Sequence, residues 1–134
     1  MRFDGGSRGN PGIAGAGVAL YDASNEQEVW STHVLLDGKA TNNEAEYTAL
    51  ISGLKGARDQ GVTQITAEGD SQLVVRQVMG TYQVKSPNLK PLYERATRLM
   101  KQFDSCTVQH IPREMNGRAD SLANLAMDKM DRSR

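Results

Sequence analysis

Apolar and polar positions alternate through the first third of the chain. In GAGVALYD, Ala16, Val18 and Leu20 fall on one face, and in QEVWSTHVLL the positions Trp30, Thr32, Val34 and Leu36 do so less cleanly. This period of two predicts two strands, with DASNEQ between them as a hairpin loop. Ahead of them a very short apolar stretch stops at Asp4, so the first strand is expected to be clipped and to end at that carboxylate. The period then changes. In TNNEAEYTALISGLKGARDQG, Tyr47, Leu50, Ile51 and Leu54 follow the i, i+3, i+4, i+7 spacing of a helix packed on a core. Thr41 and Glu44 form a T-x-x-E capping box, and Gly61 is the expected stop.

TQITAEGD reads as a strand ending at Asp70, and SQLVVRQVMG as a short helix capped by Ser71 and closed by Gly80. TYQVKSP connects to the strongest helical period in the chain, Leu89, Leu92, Tyr93, Ala96, Leu99, Met100 and Phe103. SCTVQHI is a further strand, and Ala119, Leu122, Ala123 and Ala126 trace a last helix. The order β-β-β-α-β-α-α-β-α implies an α/β protein, a mixed sheet with helices packed on it.

At 134 residues, with no repeat or low-complexity linker, a single domain is expected. Sixteen basic and sixteen acidic residues cancel. Residues 1–67 carry five Lys/Arg against eight Asp/Glu and residues 68–134 carry eleven against eight, a tilt too mild to indicate nucleic-acid binding by itself. The lone Cys106 rules out an internal disulfide. No apolar run approaches the roughly 18 residues of a membrane span, and no basic-then-apolar leader or N-x-S/T acceptor occurs. These features predict an intracellular protein, cytoplasmic by default, that does not engage a membrane.

Four carboxylates stand at element edges. Asp4 and Asp70 lie at strand ends, where sites collect in open α/β sheets. Glu46 sits in the second turn of its helix, off the apolar stripe, and Asp120 at the start of the last helix. Each alone reads as a dipole complement or solvated surface. Together they suggest a coordinated set, although periodicity does not bring them together.

The blocks DGGSRGNPG, TNNEAEY, EGDSQLV and NGRADSLAN occur in the order and approximate spacing of the type 1 ribonuclease H family, from about Phe3 to Met127. The chain most resembles the short branch found in plants, archaea and some bacteria. The resemblance implies a ribonuclease H-like fold, a five-stranded mixed sheet of order 3-2-1-4-5 flanked by helices, as one domain over 1–134 with its core at about 3–127. It also implies a monomer that cleaves the RNA strand of RNA–DNA hybrids, leaving 5′-phosphate and 3′-hydroxyl ends. Two Mg²⁺ ions would serve, with Mn²⁺ able to substitute.

Carried over by motif, the ligands fall on Asp4, Glu46, Asp70 and Asp120, with Asp4 bridging both ions, Asp120 on the water side, and Glu46 and Asp70 on the leaving-group side. Hard oxygen ligands suit Mg²⁺, and two such ions can activate water and stabilise the leaving oxygen. By the same carry-over Asn10, Asn42 and Asn43 would touch the RNA minor groove, where the 2′-OH marks RNA. Thr41 would seat a DNA phosphate at a helix N-terminus, with Gln72 a further substrate contact. Read without the resemblance, these are turn and cap residues.

Arg113, seven residues before Asp120, matches the loop arginine of the short branch. It cannot act as a base near neutral pH, so any role is electrostatic. His33 and His110 are expected to be structural. MGTYQVKSPNL is too short for the basic protrusion of many bacterial relatives. Lys85, Lys90, Arg98 and Lys101 are either its substitute or a solvated face. Three other readings compete: a ribonuclease H domain excised from a reverse transcriptase or larger protein, a non-catalytic nucleic-acid-binding module of the same fold, and a nucleotide-binding enzyme. GNPGIAGAG lacks the dinucleotide-binding spacing, and no G-K-[ST] occurs.

Overall fold

The computed structural model describes residues 1–132. Five strands form one sheet: β1 (Arg2–Arg8), β2 (Gly12–Tyr21), β3 (Glu28–Ala40), β4 (Gln64–Gly69) and β5 (Ser105–His110), in the order β3-β2-β1-β4-β5. Four helices accompany it: α1 (Asn42–Asp59), α2 (Gln72–Val78), α3 (Lys90–Met100) and α4 (Gly117–Arg132), with a 3-10 turn at Arg113–Met115. The expected fold class and strand order are observed.

The expected first strand is wrong in one respect. β1 is not clipped, and Asp4 is an interior residue of it. The glycines after Asp4 looked like a turn, yet they continue an antiparallel ladder with β2 from Arg2↔Ala19 to Arg8↔Ile13. What does stop near Asp4 is the parallel pairing with β4, which covers only Arg2↔Glu68 and Phe3↔Gly69. Asp4 therefore stands where β1 and β4 part, at a crevice in the middle of the sheet.

One face of the sheet packs against α1, with Phe3, Val18, Tyr47, Leu50 and Leu54 wholly buried in the core. α4 lies on the opposite face. Its approach depends on the glycines of β2, since a Cβ at Gly17 would stand 2.2 Å from the Ala119 carbonyl oxygen. A helix seated this close carries Asp120 down to the sheet. Between α2 and α3 runs a short irregular connector, with no basic protrusion. Among the described residues no helix is long and apolar enough to cross a membrane.

Candidate active site

Each carboxylate reaches the crevice by a separate device. β4 ends at Gly69, Asp70 follows, and Ser71 then caps α2 by accepting from the Val74 N–H at 3.3 Å. α1 starts on the expected capping box: Thr41 Oγ1 accepts from the Glu44 N–H at 3.1 Å, and the Glu44 carboxylate accepts from the Thr41 N–H at 3.0 Å. This fixes the first turn and aims Glu46 at β1. Contact is direct at Gly5, where a Cβ would lie 2.2 Å from the Ala45 carbonyl carbon. α4 begins just after Asn116, whose carbonyl accepts from the Asp120 N–H at 3.0 Å.

The result is a tight acidic group. Asp4, Glu46 and Asp70 each offer an oxygen, and these oxygens all lie within 4.8 Å of one another. Asp4 and Glu46 are buried at 7% and 5% exposure, and Asp70 is half-buried. Asp120 stays outside that trio and is exposed, but lines the same cleft of about 370 Å³ together with Asn42, Asn43, Arg113 and Asn124. A larger concavity of about 990 Å³ opens at the other end of the sheet, around Met1, Tyr21, Gln64 and Thr107. The acidic trio is absent from it, so size does not mark the chemistry here.

Charge crowding is written into the acidities. Burial raises the Asp4 carboxyl to about 7, a hydrogen bond with Glu46 works against this, and the negative charges of Asp70 and Asp120 reinforce it. Burial, then the neighbouring Asp4, raises Glu46 well above the usual carboxylate range, opposed by a hydrogen bond from the Gly5 N–H. Glu46 Oε2 is a buried acceptor without a hydrogen-bond donor among the described residues. Such an oxygen is costly unless a proton or a cation meets it. An all-oxygen donor set with a buried orphan fits a hard divalent ion.

The remaining sequence candidates divide. Asn42 and Asn43 line the cleft. Asn42 Oδ1 accepts from the Ser7 N–H at 2.8 Å, and the Asn42 N–H donates to Asn10 Oδ1 at 3.1 Å, so Asn10 braces the helix start from behind. Thr41 serves as the cap. Gln72 is exposed at the start of α2 and is not part of the cleft lining. Arg113 is exposed at the rim. His33 lies against α4, with Lys129 Nζ 2.7 Å from its Nε2.

Two asparagines escaped sequence reasoning. Asn124 Nδ2 donates to the Asp120 carbonyl at 3.1 Å and to its carboxylate at 3.3 Å. Asn116 is wholly buried and donates to the Phe3 carbonyl at 2.9 Å. The four-residue spacing Asp120–Asn124 on a helix was a usable signal. Asn-Gly at 116–117 resembles an ordinary turn and gave none.

The reverse transcriptase-like family matches residues 2–126. Ribonuclease HI of Halobacterium salinarum is 44% identical over 126 residues, covering 94% of this chain and 62% of that protein. Bifunctional protein Rv2228c of Mycobacterium tuberculosis is also 44% identical, over 96% of this chain but 35% of its own length. The chain thus spans between about a third and two thirds of these relatives. The solved N-terminal RNase H domain of Rv2228c superposes with a TM-score of 0.93 at 44% identity, covering 98% of this chain and 94% of that one. LC11-RNase H1, solved in complex with an RNA/DNA hybrid, gives 0.89 at 38% identity, with 96% of each chain covered.

Proposed function

The chain belongs to the reverse transcriptase-like family and, within it, to the ribonuclease H proteins, and from that premise we propose that it hydrolyses the RNA strand of RNA–DNA hybrids with two Mg²⁺ ions, Mn²⁺ being able to substitute. The observation that carries this reading is the mutual approach of the Asp4, Glu46 and Asp70 oxygens within 4.8 Å. Repelling carboxylates gathered at a crevice, two of them buried, destabilise the fold on their own and are explained by cations they are built to receive. A non-catalytic binding module would gain affinity for a polyanion by discarding them.

Asp4, Glu46 and Asp70 would hold the ions, with Asp120 adding an oxygen from the rim. Bound there, the ions supply an activated water and charge neutralisation at the leaving 3′ oxygen. The chain's own groups then supply placement. The capping box and the Gly5–Ala45 contact fix Glu46 relative to Asp4 before any ligand arrives. Preorganisation of this kind avoids rearrangement during the reaction. Asn42 and Asn43 present polar groups on one lip of the cleft, suited to the 2′-OH and sugar edge of an RNA strand. Arg113, exposed at the cleft, offers a permanent positive charge to a phosphate, without capacity to take a proton. Scission would leave a 5′-phosphate and a 3′-hydroxyl. A labelled hybrid incubated with Mg²⁺, Mn²⁺ or chelator tests the proposal, with RNA and DNA duplexes as controls.

A further inference from the structure

Asn116 occupies the place where β1 and β4 separate. Just ahead of β1 the Met1 carbonyl accepts from the Glu68 N–H of β4 at 2.8 Å. Two residues on, the last pair of the ladder, Phe3↔Gly69, faces the Asp70 N–H toward the Phe3 carbonyl. That carbonyl accepts from Asn116 Nδ2 at 2.9 Å, at the place where pairing between the strands ends. The asparagine side chain reaches the last rung from the start of α4. Its backbone carbonyl meanwhile accepts from the Asp120 N–H at 3.0 Å. One residue thus touches the peptide unit ahead of Asp4, meets the last rung beside Asp70, and holds the backbone of Asp120.

We propose that Asn116 is a positioning residue that joins β1 to α4 at the point where β4 leaves the sheet, and thereby sets three of the four carboxylates at their spacing for divalent ions. The inference rests on the two-metal reading above. Three observations carry it. Asn116 is wholly buried, a costly location for an amide unless it is held by specific partners. Its Nδ2 makes a well-formed bond to the Phe3 carbonyl, at the last rung between β1 and β4. Its Oδ1 has no hydrogen-bond partner among the described residues, so burying the amide is not optimal for stability alone. A polar side chain kept at such a site, one peptide from a ligand carboxylate, is accounted for by the geometry it imposes. Residues that orient ligands from behind typically alter metal affinity or activity by about 10–100-fold when removed.

The test uses Asn116→Ala and Asn116→Leu. Leucine keeps the branched four-heavy-atom skeleton and has no orphan oxygen, so if Asn116 only fills space, a folded Asn116→Leu binds metal as the parent does. If its N–H donor sets the carboxylates, both variants bind Mn²⁺ more weakly by about 10-fold or more in calorimetry without substrate. Both then also lose kcat at fixed sub-saturating metal, while the KM for hybrid stays within about threefold of the parent. Parent-like Mn²⁺ affinity in a folded Asn116→Leu protein overturns the proposal. A parent that neither binds Mn²⁺ nor cleaves hybrid instead overturns the two-metal reading, before any variant is considered. Should both variants fail to fold, a Mg²⁺ titration of the unmodified protein by amide NMR decides. Movement of the Asn116 side-chain NH₂ signals together with the Asp4 and Asp120 amides supports the clamp. Movement of those amides with Asn116 unchanged overturns it.

Discussion

Gly5 of β1 lies flat against Ala45 of α1, so close that a Cβ on the glycine would stand 2.2 Å from the Ala45 carbonyl carbon. The neighbours of these two residues, Asp4 and Glu46, are the buried pair of the acidic group. The absence of a side chain at residue 5 therefore sets the distance between two ligands on different elements.

Gly5→Ala should be severely disruptive, costing about 3 kcal/mol or more, because the added methyl meets backbone that cannot rotate away. Gly6→Ala is the control: its Cβ would meet only the Met127 methyl, at 3.9 Å, so a change within about 1 kcal/mol is expected. Urea unfolding of both variants checks the contrast. Equal stabilities would remove the close approach as a constraint.

Without metal, the acidic group weakens the fold it sits in. Asp4→Asn and Glu46→Gln should each raise apo stability by about 1–2 kcal/mol, or roughly 3–10 °C in Tm for a domain of this size. The same variants should lose most of the Tm increase that Mg²⁺ gives the parent. Calorimetric scans with and without Mg²⁺ measure both effects. Lower Tm in the neutral variants would mean the carboxylates are satisfied by protein groups, contrary to the orphaned Glu46 oxygen.

The pH dependence has a definite sign. Asp4 has a folded pKa of about 7 against 3.8 for the unconstrained group, and Glu46 is also raised. For carboxyls raised by folding, the folded state prefers the proton. For Asp4 the penalty is absent below about pH 4, grows between about pH 4 and 7, and is fully present above, and Glu46 adds a penalty of the same sign. Apo stability should therefore fall as pH rises through this window. Mg²⁺ competes with those protons, so its stabilisation should grow from pH 5.5 to pH 8. A Mg²⁺-induced Tm shift that is independent of pH, with Asp4 and Asp4→Asn alike, would count against the group as the metal site.

Much of this was legible in the sequence, for physical reasons that can be named. The capping box at Thr41 and Glu44, the helical stripe through Tyr47 and Leu54, and the four ordered blocks all depend on neighbours within a turn or so of chain. Asp4 was misplaced at a strand end because the glycines after it resemble a turn. Only the partner strand, through Arg8↔Ile13, shows that the backbone stays extended. Asn116 was invisible for a similar reason. Its partner, Phe3, is 113 residues away, and no local pattern reports such a bond. The burial of Glu46 was also hidden, since it depends on Gly5 and Ala45 meeting rather than on the period of α1.

Substrate affinity should be modest. Lys85, Lys90, Arg98 and Lys101 are all exposed, on α3 and the segments flanking it. With net charge balanced, about two to four phosphate contacts are expected, each contributing a log–log salt slope near −0.9. Replacing the four with alanine should lower hybrid binding and flatten the slope if this helix substitutes for a basic protrusion. Unchanged binding and slope would identify them as a solvated face.

The most direct measurement follows both labelled strands of an RNA–DNA hybrid with parent and Asp70→Asn proteins, in Mg²⁺ and in chelator. Metal-dependent scission of the RNA strand alone, with 5′-phosphate and 3′-hydroxyl ends and nearly abolished by Asp70→Asn, is the expected result. Undiminished cleavage in chelator, cutting of the DNA strand, or parent rates in Asp70→Asn at saturating Mg²⁺ would contradict it.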